Sequence, residues 1–593
     1  MEISRLFDLL AQHAAKSPTS YFVSGKENQA GNKIWKHYTF EEVAQLTNRV
    51  SQFLLNLGLQ PDDKIAIIAN NRPEWNFVDL GALQVGAVVV PMYPNISAAD
   101  YAFIFQDAGI KYAFVSDAEV YSKVQPLLGK LPAFKAIYTF DEIAVLPGFW
   151  KELPPEADLS LIASRKAKVK PDDVSTIIYT SGTTGTPKGV MLTHRNILSN
   201  ILSINQVVTF QEHKRALSFL PLCHSFERMV FYAYLSYGLH IHYAESLETI
   251  PQDLLEVKPF CFTTVPRLLE KVYEKIMAKA ATLSGIQKQI FFWAVGVAEQ
   301  YQLGKSSSGW YAAKLAIARL LVFSKWREAL GNEVEFIITG AAAMQPRLIT
   351  LFMAAGINVI EGYGLTETSP VLCANRLLET ERCIGTVGMP VPGVEIRLAE
   401  DGEILAKGQN IMKGYYNRPD LTAEVIDEQG WFHTGDIGQW IQANGNTFLK
   451  ITDRKKELFK TAGGKYIAPQ VIENKLKEST YIEQIMVVGG DDKKFVSALI
   501  IPSFEQVVNW GKTRGMLFEN RDNLMENPQV MKLIMQEVHR FNPNFGHWEQ
   551  VKKVTLLPQE WTIATGELTP TLKPKRKFIA EKFAKEIEEM YGG

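Results

Sequence analysis

At 593 residues the chain is too long for one compact core, so two or more domains are expected. Hydrophobic residues make up 46% and charged residues 21%, an ordinary globular balance. The 63 basic and 64 acidic residues leave a net charge of −1, so no global basic field exists to recruit nucleic acid.

Four cysteines, Cys223, Cys261, Cys373 and Cys383, form no CxxC pair. That argues against a disulfide framework and for a reducing, cytoplasmic compartment. The opening residues lack a basic region followed by a long apolar stretch, so no secretory signal is expected. No run of about 18 apolar residues occurs. The nearest, residues 77–93, carries Asp79 and Gln84 and reads as a buried helix leading into a strand.

Residues 40–58 space their apolar positions three and four apart and stop at Gly58, which predicts an amphipathic helix. The short apolar run 64–70 predicts a buried strand. Residues 78–86 read as helix, 87–93 as strand, 102–109 as helix and 111–117 as strand. This alternation predicts an α/β fold with a largely parallel sheet. His240 and His242 alternate on an expected strand and are read as strand residues rather than as a metal site.

Residues 273–333 break the rhythm with helix-rich sequence, read as a helical hairpin inserted in the α/β domain. Trp310, Tyr311, Leu315, Ile317, Leu320, Leu321, Phe323 and Trp326 supply apolar surface there, and Lys314, Arg319, Lys325 and Arg327 supply charge. Such a helix either packs on its own domain or lies peripherally on an anionic membrane. Glycine-punctuated β segments at about 385–452 suggest a β subdomain. Alternation resumes from about 456, so the expected division is a large domain over 1–455 and a small α/β domain over 456–593. Monomer and homodimer are equally compatible with the sequence.

The strongest chemical feature is an apolar strand running into Thr180-Ser181-Gly182-Thr183-Thr184-Gly185-Thr186-Pro187-Lys188-Gly189. Glycines let backbone N–H groups approach an anion, hydroxyls add donors, and a lysine adds a point charge, which is the chemistry of a phosphate cradle. The Walker pattern GxxxxGK[ST] fits at no register here. Ser181 lacks the GxS elbow of a serine hydrolase.

Residues 179–194, YTSGTTGTPKGVMLTH, closely resemble the signature loop of the adenylate-forming (AMP-binding) superfamily. Three further blocks follow in that family's order: Gly362-Tyr363-Gly364-Leu365-Thr366-Glu367-Thr368, Thr434-Gly435-Asp436 and Asp453-Arg454-Lys455-Lys456-Glu457. The resemblance spans roughly residues 40 to 580. It implies an ATP-dependent ligase that joins a carboxylate to the α-phosphate of ATP and passes the acyl group to coenzyme A.

By the same resemblance, the loop from Thr180 to Lys188 cradles phosphates. Thr180 and Glu367 lie at a Mg²⁺ ion, which prefers hard oxygen ligands. Thr366 bonds the α-phosphate, Tyr363 lies against adenine beside Gly362 and Gly364, and Asp436 and Arg454 hold the ribose. Gly340 and Ala341 line the adenine side. Lys456 matches a hinge about which the small domain turns. Gly463 and Gly464 form the loop facing coenzyme A. A C-terminal lysine reaches the carboxylate during adenylation, and Lys573 is the expected one, with Lys575 and Lys577 as alternatives.

Residues 220–228, LPLCHSFER, are similar to the matching block of long-chain acyl-CoA synthetases, and helical sequence near 273–333 fits the same group. His224, Phe226 and Ala342 would border the acyl chain, and His224 would join the catalytic set. A fatty acid is therefore the expected acid. A fatty acyl-AMP, acyl-carrier-protein or aryl-acid ligase of the same fold stays open, as does a catalytically dead lipid-binding or scaffold protein.

Overall fold

The computed structural model describes residues 3–592 except 30, 182–186, 304–308, 463–464, 519, 564 and 570–572, and only the backbone of Ser181. The predicted first amphipathic helix is Phe40–Asn56. Its N-terminus is closed reciprocally: the Glu42 N–H donates to Thr39 Oγ1 at 3.2 Å, and the Thr39 N–H donates to Glu42 Oε2 at 2.8 Å. Val43, Val50 and Leu54 face the core, and the chain leaves through Gly58 at φ 78°.

The α/β expectation holds, with two large sheets. A seven-stranded sheet runs Gly414–Tyr415, Pro187–Thr193, Val174–Ser181, Val88–Met92, Lys64–Ile68, Ile110–Val115, Ala136–Thr139. Its pairs are parallel from Val174–Ser181 onward and antiparallel at the other edge. Ile65 and Ile67 join one buried cluster, and Ala66 and Ile68 join another, so both faces are covered. A nine-stranded sheet runs Met389–Pro390, Val371–Ala374, Asn358–Gly364, Phe336–Thr339, Cys261–Thr264, Arg215–Ser218, His240–Tyr243, Tyr21–Gln29, Asn32–Thr39. It is parallel through its middle and antiparallel at both ends.

Helices Pro73–Gln84 and Ser225–Tyr237 are buried nearly all round, in a cluster that draws side chains from both sheets. Asp79 lies on the first of them and is ion-paired with Arg228 on the second.

The glycine-punctuated stretch forms a four-stranded antiparallel sheet, Val394–Leu398, Glu403–Gly408, Phe432–Ala443 and Asn446–Arg454. The last part of the chain builds a three-stranded sheet, Ile482–Val488, Val496–Pro502 and Val551–Leu556, with its own apolar clusters.

Helices Pro266–Ala281, Gly285–Glu299, Gly309–Ala318 and Ser324–Ala329 make up the helix-rich region, with a π-helical turn at Arg319–Phe323. Of the two readings of this segment, packing on its own domain holds for one face: Leu315, Phe323 and Trp326 are core residues at 3%, 0% and 5% exposure. Arg319 donates to the Ala354 carbonyl and Arg327 to the Ala355 carbonyl, which ties the helices to their own domain. Trp310, Ile317, Leu320 and Leu321 remain exposed. Among the described residues no helix is long and apolar enough to cross a membrane.

Candidate active site

The site is assembled at strand ends. Strand Val174–Ser181 turns back into Pro187–Thr193, and Thr180 pairs with Lys188 across that hairpin. Gly182, Thr183, Thr184 and Gly185 lie outside the described residues, as do Gly463 and Gly464. Lys188 projects over the Tyr415 ring, its Nζ 5.1 Å from the centroid.

Tyr415 was not singled out from sequence, yet it connects two of the blocks. Its strand Gly414–Tyr415 pairs with Pro187–Thr193, and its hydroxyl donates to Glu367 Oε1 at 2.8 Å. Glu367 is also held by its backbone carbonyl, which accepts from the Met412 N–H at 2.8 Å. The carboxylate is half-buried and uses one oxygen on tyrosine. Thr180, also half-buried, is a second hard-oxygen donor. That donor chemistry fits Mg²⁺.

Thr366 begins a single 3₁₀ turn after strand Asn358–Gly364, and its hydroxyl is 3.2 Å from that of Ser225. Ser225 begins helix Ser225–Tyr237, which His224 caps: His224 Nδ1 accepts from the Phe226 N–H at 3.2 Å. The helix N-terminus therefore faces Thr366, with the partial positive charge that favours an anion. Burial and the nearby Lys573 ammonium push the His224 imidazole down to about 4. His224 is thus neutral near pH 7, with Nε2 carrying the proton.

The Phe226 ring packs against Gly340, where an added Cβ would sit 3.6 Å from ring carbons and 3.4 Å from the Gly362 carbonyl oxygen. Ala341 takes a left-handed conformation, φ 68°, at the turn after strand Phe336–Thr339, and Ala342 beyond it is exposed. Gly364 has a different reason to be glycine. A Cβ there would lie 1.7 Å from the Pro370 carbonyl oxygen.

Tyr363 donates its hydroxyl to Asp436 Oδ2 at 2.7 Å, and Arg454 Nε lies 3.5 Å from Asp436 Oδ1. Asp436 and Arg454 are cross-strand partners in the four-stranded sheet, so hairpin register brings two of the sequence blocks together. Burial raises Asp436 above the ordinary carboxylate range, and Arg454 opposes that shift. The turn bearing Asp436 is braced from behind. Glu403 accepts from the Gly435 N–H at 2.9 Å and pairs with Lys455 at 2.8 Å. Lys456 follows in an exposed turn.

Lys573 arrives from the last part of the chain. Its backbone N–H donates to Thr569 Oγ1 and its carbonyl accepts from the Thr569 N–H. Its ammonium is in electrostatic reach of Arg454, Asp436 and Glu457, and it acts on His224. Burial, and then Arg454, lower it to about 8. Lys575 and Lys577 are exposed, with Lys577 directed to Glu581 at 4.0 Å. Of the three candidate lysines, Lys573 is the one brought to Asp436 and His224.

A sequence profile of AMP-binding enzymes matches residues 10–416, and one of the AMP-binding enzyme C-terminal domain matches residues 457–593. The chain is 34% identical over 575 residues to long-chain-fatty-acid–CoA ligase FadD15 of Mycobacterium bovis, covering 94% of this chain and 93% of that protein. It is 33% identical over 590 residues to human long-chain-fatty-acid–CoA ligase 1, covering 93% and 82%. Among solved structures, the A domain of carboxylic acid reductase from Segniliparus rugosus, in complex with AMP and a co-purified carboxylic acid, matches with TM-score 0.75 at 18% identity over 99% of this chain and 94% of that one. O-succinylbenzoate coenzyme A synthetase (MenE) from Bacillus subtilis, in complex with ATP and magnesium ion, matches with TM-score 0.67 at 19% identity over 96% and 98%. These structural likenesses speak to the fold alone.

Proposed function

The chain belongs to the AMP-binding enzyme family, and from that premise we propose that it is a long-chain fatty acid–CoA ligase. The fatty carboxylate attacks the α-phosphorus of ATP and expels pyrophosphate. The coenzyme A thiolate then attacks the acyl carbon and expels AMP. The observation that carries this reading is the Tyr363–Asp436–Arg454 cluster, with Lys573 in electrostatic reach of it, in a chain whose long-chain ligase relatives align over nearly its whole length.

Each residue's role follows from its chemistry. Asp436 and Arg454 bind the ribose, and Tyr363 orients Asp436 while its ring borders adenine. The Lys573 ammonium cancels the repulsion between the two reacting anions, and Thr366 donates to the α-phosphate from the end of a helix N-terminus. Glu367 and Thr180 would hold Mg²⁺, which when bound neutralises phosphate charge. His224, depressed to about 4, is a poor base near neutrality, so it serves as an Nε2–H donor that orients the acyl carbonyl. The division of the chain at 455/456, the hinge at Lys456 and the glycine loop at 463–464 belong to this reading, with residues 456–593 turning between the two half-reactions.

Trp310, Ile317, Leu320 and Leu321, exposed beside Lys314, favour peripheral membrane contact, where a long-chain acid would be drawn. Co-sedimentation with anionic vesicles tests this. Loss of binding in Trp310→Ser together with Leu320→Ser supports it, and unchanged binding overturns it.

The decisive assay supplies palmitate, ATP, Mg²⁺ and coenzyme A to the purified protein and follows acyl-CoA by mass. Acyl-AMP that accumulates without thioester would sink the coenzyme A assignment. Thioester formed from an aryl acid but not from palmitate would sink the fatty acid. No AMP with any acid would leave a lipid-binding protein.

A further inference from the structure

We propose that His37, His240 and His242 form a binding site for one divalent transition-metal cation of the Zn²⁺ class, at the outer end of the nine-stranded sheet. The site is separate from the ligase centre, and its chemistry is independent of that reading. The sequence pairs only His240 and His242. The fold brings in His37 from about 200 residues earlier, because strand Asn32–Thr39 folds back on Tyr21–Gln29, which pairs in parallel with His240–Tyr243. Ser24 is opposite His37 on one side and His242 on the other. A serine at that point is small enough to let the imidazoles on either side approach each other.

The three side chains each present a ligand nitrogen, all within 4.8 Å of one another, and they are the one such group of three among the described residues. His37 crosses His240 at 71° and His242 at 75°, and the His240 and His242 rings lie 4.0 Å apart at 42°. His240 and His242 are buried, and His242 Nδ1 is a buried ring nitrogen without a hydrogen-bond partner, which is costly unless something occupies it.

Ser24 supplies the outer support such a site needs. Its Oγ lies 2.6 Å from His37 Nδ1 and 2.5 Å from His240 Nε2. When it accepts from both, each ring carries its proton toward serine and keeps the lone pair of its other nitrogen for a metal.

A cavity of about 310 Å³ adjoins the three rings, lined also by Trp35, Arg215 and Glu256, and leaves room for a water as fourth ligand. Glu256 is paired there with Lys26 at 2.9 Å and accepts from Trp35 Nε1 at 2.9 Å, and Arg215 adds a positive charge. Three imidazoles suit Zn²⁺, Co²⁺, Ni²⁺ or Cu²⁺, whereas Mg²⁺ requires oxygen. The reaction's own metal therefore would not select this site. A bound ion would fasten the N-terminal hairpin to the strand His240–Tyr243.

The test is a Co²⁺ titration of untagged full-length protein, read by visible d–d absorption, followed by displacement with Zn²⁺. The expected result is one Co²⁺ per chain with the intense spectrum of four-coordinate cobalt, bleached by one equivalent of Zn²⁺. His37→Ala and His242→Ala should each abolish that spectrum, Ser24→Ala should weaken binding by roughly tenfold, and His539→Ala, far along the chain, should change nothing. A wild-type titration that yields only the weak six-coordinate spectrum overturns the proposal without recourse to any variant. So does a His37→Ala protein that binds as tightly as wild type.

Discussion

Asp79 and Arg228, 149 residues apart, form an ion pair with side-chain exposures of 0% and 1%. Tyr232 donates to the same carboxylate, Arg228 donates to Thr176 Oγ1 at 3.0 Å, and the guanidinium lies 5.3 Å from the Trp75 ring. The pair fixes helix Ser225–Tyr237, whose N-terminus carries His224 and Ser225 into the active site. Asp79→Ala leaves a buried guanidinium without its partner, so a loss of about 3–5 kcal/mol is expected. Thermal denaturation checks this, and Asp79→Leu combined with Arg228→Met should recover most of the loss.

Lys573→Ala should reduce adenylation by roughly a hundredfold or more, since it removes the cation that faces two reacting anions. The second half-reaction, started from synthetic acyl-AMP and coenzyme A, should be nearly unaffected. The ammonium is the active form and titrates at about 8, so adenylation in the wild type should fall as pH rises through 8. Lys573→Arg should lose that descending limb. Pyrophosphate release measured against pH reads both effects.

Asp436→Asn keeps the shape but weakens two charge-assisted contacts, with Arg454 and with the ribose. The KM for ATP should rise by roughly tenfold to a hundredfold, equivalent to about 1.5–3 kcal/mol, with the KM for the acid little changed. Tyr363→Phe should give a smaller change in the same direction. Steady-state kinetics with ATP varied separates these from a folding defect.

Glu227 makes a stability prediction. It is buried at 1% exposure, accepts from Ser218 and Thr263 at 2.6 Å each, and is pushed up to about 7 by burial. The folded chain keeps a proton that the unfolded chain releases near pH 4.5. This contribution is therefore fully present below that value and is lost as pH rises through 7. The fall amounts to about 3 kcal/mol at 1.36 kcal/mol per unit. Glu227→Gln, which does not titrate, should flatten that part of the stability profile in urea denaturation at pH 5 and pH 7.5.

Gly364→Ala should abolish activity and lower soluble yield, because its Cβ would collide with the Pro370 carbonyl. Gly340→Ala meets only ordinary contacts at 3.4 and 3.6 Å and should fold normally. Circular dichroism and soluble yield distinguish the two.

The layered fold was legible because its signals are local. Three-and-four spacing announced Phe40–Asn56, and short apolar runs announced Lys64–Ile68 and Ile110–Val115. The motif residues Tyr363, Asp436, Arg454 and Lys573 stand out in the sequence, but the contact of Asp436 with Arg454 depends on strand register. Tyr415 was not legible, because nothing near it in sequence marks a tyrosine that touches Glu367 across 48 residues. Leu315, Phe323 and Trp326 left two readings open because periodicity marks an apolar face without saying what covers it. Here it is covered by neighbouring helices, including Pro346–Ala354.

Arg267 connects helix Pro266–Ala281 to the last part of the chain. One of its nitrogens is 2.7 Å from Glu483, and another is 3.6 Å from both Glu270 and Glu274 on its own helix. Gln345 adds a bond to the Lys477 carbonyl at 3.2 Å. If residues 456–593 swing away, Glu483 departs, but Arg267 keeps two carboxylates within reach and its charge is never stranded. If residues 456–593 turn as proposed, the contact is a detachable joint: it holds one posture through direct ion pairing, and on release the guanidinium keeps Glu270 and Glu274 at 3.6 Å.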